Sequence, residues 1–163
     1  MKNNLVELTI ATSDGDFVAS YSENGLASLS FPSKRKAASN AAVGDQIRQW
    51  HHQTAAALKC ALAGRPPGIL PPLDLSSGTD FQQNVWQALR QIRAGQTRSY
   101  GEVAEAIGKS KALRAVGGAC GANPIPVLVP CHRVLAANKK IGGFSGGLHW
   151  KRTLLAREGI ELG

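Results

Sequence analysis

The sequence predicts an α+β protein in which a small strand-rich N-terminal part precedes a mainly helical C-terminal part. Three observations support this class. Residues 4–31 have strand-like patterns broken by turn signals, apolar residues recur at helical spacing from residue 42 onwards, and a stretch rich in Pro and Gly at residues 64–72 separates the two parts. We therefore predict an N-terminal α/β domain of residues 1–75, linker included, and a C-terminal domain of residues 76–163.

Residues 4–31 are predicted to form three strands. The dipeptides Asp-Gly at residues 14–15 and Asn-Gly at residues 24–25 are hairpin signals, because these residues adopt left-handed backbone angles at low cost. Two such turns in succession predict a β-meander.

Residues 42–63 are predicted to form one long helix. Its apolar residues follow a helical stripe in which Thr54 is the one polar member, and Gly64 supplies the glycine that commonly ends a helix. The Pro-rich residues 65–72 then form a stiff linker.

Three further helices are predicted after the linker. Thr79 with Gln82 and Ser99 with Glu102 each match a capping box, which marks a helix start. The third of these helices covers residues 111–120. A glycine-containing turn joins it to the helix before it, so the pair predicts a helix-turn-helix, with an ordinary helical hairpin as the alternative.

The formal net charge of +8 points to an acidic partner. Lys109, Lys111 and Arg114 cluster around the predicted second helix of the helix-turn-helix, and phosphate contacts dominate nucleic-acid affinity, so DNA is the favoured partner. A basic surface that serves solubility is the alternative. The chain has no apolar run of membrane-spanning length and no charged-then-apolar leader, which predicts a cytoplasmic protein without a membrane partner.

The cysteines predict neither a disulfide framework nor a metal site. Cys60, Cys120 and Cys131 are an odd number without a CxxC pair, which fits a reducing compartment. The histidines at residues 51–52 with Cys60 give too few ligands for zinc. We expect no metal and no cofactor.

The segment with the strongest chemical signal is residues 130–134, which read PCHRV. An apolar run at residues 125–129 precedes it and is predicted to be a short buried strand that delivers Cys131. A cysteine nucleophile needs a neighbour that favours the thiolate, and His132 is adjacent in sequence. A buried structural cysteine beside a surface histidine is the alternative.

Two features near the C-terminus complete the candidates. A loop at residues 142–147 is glycine-rich, which fits either a functional loop or a plain connector. Residues 149–157 predict the last helix, with Glu158 at its C-terminal end. A carboxylate there opposes the helix dipole, so Glu158 either has a separate role or is an exposed, screened charge.

Together these segments resemble the O6-alkylguanine-DNA alkyltransferases. The resemblance covers residues 81–158 and includes NPIPVLVPCHRV at residues 123–134, SYGEVA at 99–104, RAVGGA at 114–119, GFSGGL at 143–148 and LLARE at 154–158. Five ordered blocks at the family spacing are far more specific than a lone PCHR. The resemblance implies a ribonuclease H-like N-terminal domain and a winged helix-turn-helix-like motif in the C-terminal domain.

It also implies the reaction. A thiolate attacks the alkyl carbon on O6 of an alkylated guanine, or O4 of an alkylated thymine, and the alkyl group stays on the protein. In this scheme Cys131 is the nucleophile, His132 takes its proton through a water, and Glu158 orients the imidazole. Asn123 shapes the turn before the active-site strand, and Tyr100 donates a proton to the leaving guanine.

The implied partner is double-stranded DNA that carries O6-alkylguanine, bound by a monomer. Arg114 matches the family's intruding arginine and would fill the gap left when the nucleotide is flipped out of the duplex. The other residues expected to bind DNA are small and lie on or before the recognition helix: Ser99, Ala115, Gly117 and Gly118.

The resemblance places the substrate pocket at Phe144, Ser145, Gly146 and Val134. Many relatives have tyrosine where this chain has Phe144, so a polar contact of the pocket is lost. Cys120 lies near the DNA-facing end of the recognition helix, either as a second thiol or as a small packing residue.

Three other functions compete with alkyl transfer. Alkyltransferase-like lesion binders share these blocks but lack the motif cysteine, which Cys131 supplies here. A helix-turn-helix regulator would bind one DNA sequence and undergo no modification. A cysteine hydrolase would need an oxyanion hole, and it leaves the basic helix and Arg114 unexplained.

Overall fold

A three-stranded antiparallel sheet begins the fold in this computed structural model, which describes residues 5–38 and 42–162. The strands are β1 (Val6–Thr12), β2 (Gly15–Ser22) and β3 (Gly25–Ser30), in the order β1-β2-β3. Gly15 and Gly25 have φ of 113° and 143°, which only glycine adopts easily, and each directly follows a tight turn. The predicted meander is therefore confirmed.

Helix α1 (Asp45–Leu62) packs against this sheet with a face that includes Ala57, Leu58 and Ala61, all buried. Thr54 is also buried, and its hydroxyl donates to the carbonyl of Trp50 at 2.8 Å, which explains how a polar residue fits the apolar stripe. The helix begins three residues later than predicted, because Gly44 is extended and serves as the N-cap.

The Pro-rich segment after α1 is bonded to the sheet. The amide of Leu26 in β3 donates to the carbonyl of Pro72 at 2.8 Å, and the amide of Asp74 donates back to the carbonyl of Leu26 at 2.8 Å. The conformationally restricted segment around Pro72 thus pairs with the outer edge of β3. The domain boundary at residue 75 stays a prediction.

Four helices follow, so the α+β class is confirmed: α2 (Asp80–Leu89), α3 (Tyr100–Ala106), α4 (Leu113–Gly121) and α5 (Leu148–Arg157). Both predicted capping boxes are present, at Thr79 and at Ser99. The indole of Trp86 in α2 donates to the carbonyl of Ala119 in α4 at 2.8 Å, which ties these helices together inside the core.

Helices α3 and α4 contact each other across the turn at residues 107–112, as the predicted helix-turn-helix requires. Helix α4 begins at Leu113, two residues later than predicted. A short parallel ladder joins β4 (Arg98–Ser99) to β5 (Val134–Leu135) and so brings the start of α3 close to the PCHRV segment.

The strand predicted at residues 125–129 is wrong. These residues form turns, and Cys131 begins a 3₁₀ helix, Cys131–Arg133. Prolines at 124, 126 and 130 lack the N–H groups that a strand would use, and Val127 has a left-handed φ of 73°. The apolar run reflects burial and not extended structure.

Gly64 permits close contact between the end of α1 and the end of α5. A Cβ at this position would overlap the carbonyl of Arg157, whereas nothing lies within 4 Å of a Cβ at Gly68; φ is 78° at Gly64 and 75° at Gly68. We expect Gly68→Ala to lower the free energy of unfolding by about 1 kcal/mol, the cost of a left-handed alanine. Gly64→Ala should lower it by about 3 kcal/mol or more, because backbone must also move. Urea unfolding measures both, and equal losses would contradict the proposed contact.

Candidate active site

Cys131 lies at the wall of a small internal cavity of about 130 Å³, with its residue only 4% exposed. The other residues that line the cavity come from α3, α4 and the glycine-rich loop: Tyr100, Gly117, Cys120, Gly121, Gly143 and Phe144. A buried thiol therefore faces a space lined by an aromatic ring, a phenol and a helix with little side-chain bulk.

The turn that delivers Cys131 is held by Asn123. Its Nδ2 donates to the carbonyl of Val129 at 2.8 Å, and its Oδ1 accepts from the amide of Ile125 at 3.0 Å. Because both the nitrogen and the oxygen of its side-chain amide are hydrogen-bonded, Asn123 connects the two ends of this turn. Asn123 therefore lies at the start of the turn that the sequence analysis expected it to shape.

Glu158 connects two residues of the PCHRV motif. One of its oxygens, Oε2, lies 2.9 Å from His132 Nε2 and 2.8 Å from Arg133 Nη2, and the other accepts from Arg133 Nε at 2.8 Å. The Glu158 side chain is 1% exposed, so it is not a screened surface charge. Arg133 also donates from Nη1 to the carbonyl of Ile92 at 2.7 Å.

The electrostatics of this cluster define the protonation of His132. Burial alone would raise the pKa of Glu158, but hydrogen bonds from His132 and Arg133 outweigh it and lower the pKa to about 2. Burial lowers the pKa of His132 against the pull of Glu158. His132 is therefore a neutral imidazole whose Nε2–H donates to the carboxylate.

That tautomer leaves Nδ1 of His132 as a lone-pair acceptor. Nδ1 is buried and has no hydrogen-bond partner among the residues that the structure describes. A buried polar atom without a partner costs free energy, so Nδ1 is suited to accept a proton or a bridging water. His132 and Glu158 thus have the arrangement of a base with its orienting carboxylate.

Lys151 is a buried cation that the sequence analysis missed. It is 0% exposed on α5, and its Nζ donates to the carbonyls of Val134 at 2.7 Å and Gly143 at 3.0 Å. Burial lowers its pKa to about 8, against the opposing effect of the nearby Cys131 and Cys120. The sequence signal was its position in α5 on the same face as Leu154 and Leu155.

The nucleophile candidate is a thiol at rest. Burial raises the pKa of Cys131, while a hydrogen bond from Asn123 and the charge of Lys151 lower it. Burial and the neighbouring Cys131 raise the pKa of Cys120 to about 12, so the second thiol of the cavity is also protonated. Burial raises the pKa of Tyr100, which remains a phenol able to donate a proton.

The predicted DNA-binding residues divide between surface and cavity. Arg114, Ala115 and Gly118 lie on the exposed face of α4, and Gly117 lines the cavity from the same helix. Ser99 is half-buried and caps α3. One helix therefore reaches from the Cys131 cavity to a basic outer surface.

The predicted pocket residues are only partly brought together. Phe144 lines the cavity, whereas Ser145 is exposed and Val134 is buried in β5 behind it. Gly146 packs closely against the rings of Phe144 and Phe31. Phe31, from the end of the N-terminal sheet, is a second residue that the sequence analysis missed, and no local motif marks it.

The described residues offer neither a cluster of metal ligands nor a membrane-spanning helix. No group of three or more His, Cys, Asp or Glu side chains there is arranged to hold a metal ion. No described helix is both long and apolar enough to cross a membrane.

The helical C-terminal part of the chain matches a known protein family. Residues 80–160 match the family model described as 6-O-methylguanine DNA methyltransferase, DNA binding domain. Curated methylated-DNA--protein-cysteine methyltransferases match as well. The protein from Mycobacterium bovis is 58% identical over 86 residues, which are 53% of this chain and 52% of that protein. The one from Haemophilus influenzae is 54% identical over 83 residues, 51% and 46% of the two chains. The match thus spans about half the length of these relatives.

Solved structures match over nearly the whole chain. The crystal structure of the Mycobacterium tuberculosis O6-methylguanine methyltransferase is 37% identical, covers 95% of this chain and 93% of its own, and has a TM-score of 0.74. The chain belongs to the O6-methylguanine methyltransferase family. The Mycobacterium tuberculosis OGT in complex with DNA is another methyltransferase structure that matches, at 39% identity, 92% and 90% coverage, and a TM-score of 0.76.

The carboxylate of Glu158 gives the methyltransferase fold a measurable acid sensitivity. Its pKa is about 2 when folded and 4.5 when free, so the unfolded chain takes up the proton first as pH falls. Stability from this group is present above pH 4.5 and is lost between pH 4.5 and pH 2. We expect the stability difference between the native chain and Glu158→Gln to shrink by about 3 kcal/mol across this window. Urea unfolding at several pH values measures it; a constant difference would contradict the cluster.

Proposed function

We propose that this protein repairs DNA by moving the alkyl group of O6-alkylguanine onto Cys131, once per molecule. The observation that carries the proposal is the Cys131 cavity, which one helix lines while presenting Arg114 on its exposed face; the residue after Cys131, His132, is paired with Glu158. Family membership adds support, because relatives are named methylated-DNA--protein-cysteine methyltransferases and one solved relative is in complex with DNA.

The proposed reaction exchanges one bond for another. The bond between O6 and the alkyl carbon breaks, its electron pair leaves with guanine, and a bond forms between that carbon and Sγ of Cys131. The thiol proton passes through a water to Nδ1 of His132, the unpartnered acceptor of the cluster. Ionised Glu158 then stabilises the imidazolium.

Tyr100 assists departure of the guanine. Negative charge develops on the base as the O6–carbon bond breaks, and a proton from the phenol of Tyr100 neutralises it. Tyr100 lines the same cavity as Cys131, which supports this role. Tyr100 recovers its proton from solvent while His132 releases the proton taken from the thiol.

The thioether product explains single use. A carbon–sulfur bond to an alkyl group has no good leaving group, and no described side chain offers a route to break it. The protein is thus consumed as it repairs, and the reaction needs neither a metal nor another cofactor.

DNA binds, in this proposal, along α3 and α4. The pair acts as a winged helix-turn-helix-like unit, with Ser99, Ala115, Gly117 and Gly118 close to the sugar-phosphate backbone. Arg114 enters the duplex as the damaged nucleotide is flipped into the cavity, where Phe144, Ser145, Gly146 and Val134 shape the pocket. The exposed position of Arg114 and the open space at Gly118 support this arrangement.

The remaining features of the proposal follow the family. The N-terminal domain is ribonuclease H-like, O4-alkylthymine is a second substrate, and the protein acts as a monomer in the cytoplasm. These features rest on the resemblance of the sequence to the alkyltransferase family.

The decisive experiment is a count of alkyl groups. Incubation with excess duplex DNA that carries O6-methylguanine should add one methyl per protein molecule, on Cys131, by intact mass and peptide mapping. Cys131→Ser should stay unmodified yet bind the lesion, because a serine hydroxyl is a poor nucleophile at neutral pH. More than one repaired lesion per protein, or a methyl group on Cys120, would overturn the mechanism.

Arg114 should matter for duplex DNA only. Arg114→Ala is expected to slow repair of duplex DNA about tenfold or more relative to its reaction with free O6-methylguanine, which needs no extrusion. Lys111→Ala removes the same charge from a nearby exposed position and serves as the control. Equal slowing of duplex DNA and free base by Arg114→Ala would show instead that Arg114 supports the fold or the thiol.

A further inference from the structure

The N-terminal sheet is connected to the wall of the Cys131 cavity by one aromatic side chain, Phe31, which contacts Phe144. Phe31 directly follows β3, and its ring lies 5.8 Å from that of Phe144, at an interplanar angle of 74°. Trp150 at 5.0 Å and Phe17 at 5.5 Å hold Phe31 from its other sides. Phe31 is therefore fixed between the sheet, helix α5 and the wall of the cavity.

The glycine-rich loop is shaped to this ring. A Cβ at Gly146 would lie 2.5 Å from Phe31 and 2.9 Å from Phe144, closer than side chains tolerate. Gly146 thus allows the loop to lie directly against both rings, and any larger residue would force one of the two rings or the loop to shift. The position of Phe144 depends on this packing.

Among the described residues, Phe31 is the aromatic partner of Phe144, whose backbone carbonyl also accepts from the amide of Gly147 at 3.0 Å. The phenyl ring of Phe144 lacks a hydroxyl, so it makes no hydrogen bond, and edge-to-face contact with Phe31 is the directional interaction that sets its orientation. A phenyl ring offers no polar group that could fix its orientation, and Phe31 supplies an aromatic contact instead.

The same strand also holds the other side of the cavity. The amide of Leu29 in β3 donates to the carbonyl of Pro124 at 2.9 Å, in the turn that Asn123 closes before Cys131. Leu29, near the end of β3, therefore contacts the turn before Cys131. Phe31, the residue after β3, contacts Phe144 in the wall of the cavity. The end of β3 fixes the distance between them.

We propose that Phe31 is a positioning residue for the substrate pocket, which orients Phe144 against the purine of the damaged base. The proposal rests on the function given above and assigns a part in it to the N-terminal sheet. Phe31 acts through Phe144 and does not itself line the cavity. Its loss should weaken binding of the base without changing the intrinsic reactivity of the thiol.

The test compares alkylation of Cys131 in the native chain, Phe31→Ala, Phe31→Leu and Leu58→Ala. Leu58 is buried on α1, which contacts the sheet, so Leu58→Ala controls for loss of stability, checked by Tm. Reaction with rising concentrations of free O6-methylguanine gives the half-saturating concentration and the maximal rate. Iodoacetamide, followed on the Cys131 peptide, reports the thiol alone.

Phe31→Ala should raise the half-saturating concentration about tenfold, the order expected from one lost aromatic pair, and leave the maximal rate and the iodoacetamide rate within about twofold. Phe31→Leu fills the space without the ring and should recover part of the loss; it also serves if Phe31→Ala does not fold. Leu58→Ala should bind the base like the native chain.

The outcomes separate the two proposals. If the native chain methylates Cys131 but both Phe31 variants keep the native half-saturating concentration, the role of Phe31 is overturned and the function stands. If Leu58→Ala loses as much affinity as Phe31→Ala, general destabilisation explains the effect and the proposal also falls. If the native chain acquires no methyl group from DNA or base, the proposed function fails, and the pocket role falls with it.

Discussion

The buried carboxylate of Glu158 is the interaction on which the site depends. It accepts hydrogen bonds from both Arg133 and His132. It lies at the C-terminal end of α5, where the helix dipole disfavours a negative charge. Two cationic or polar donors compensate for that cost and for burial. Removing one partner of such a buried pair typically costs about 3–5 kcal/mol, so the geometry of the PCHRV segment and the anchoring of α5 cannot be varied separately.

The adjacent residue extends this connection to the N-terminal half. Arg157 donates to the carbonyl of Leu62 at the end of α1 and to the carboxylate of Asp14 in the first hairpin turn. Two consecutive residues at the end of α5 therefore bind different parts of the chain, Glu158 the motif and Arg157 the first hairpin turn and the end of α1. The end of α5 is one of the places where the two halves of the sequence meet.

Features that depend on a few neighbouring residues were predicted from the sequence, whereas features that depend on burial in the folded core were missed. Capping boxes at Thr79 and Ser99 and the hairpin glycines act within a few residues, so their signals are complete in the sequence. The turn before Cys131 was misread as a strand because apolar residues in a proline-rich turn and in a strand look alike by composition. Arg133 and Lys151 were passed over because long cations usually lie at the surface, and only the fold shows which carbonyls and carboxylates surround them. Phe31 lies about a hundred residues from its partner Phe144 in the chain, beyond any local pattern.

The burial of Cys131 also affects how long the protein stays usable. Peroxides and adventitious electrophiles attack thiolates in preference to thiols, and access to the sulfur limits the attack further. Cys131 is only 4% exposed and burial raises its pKa, so its sulfur is held as the less reactive thiol. Under the proposed function each molecule uses this cysteine once, so its slow reaction with other electrophiles determines how long an unreacted molecule stays active. The burial that lowers the reactivity of the thiol would also protect it until an alkylated base is bound.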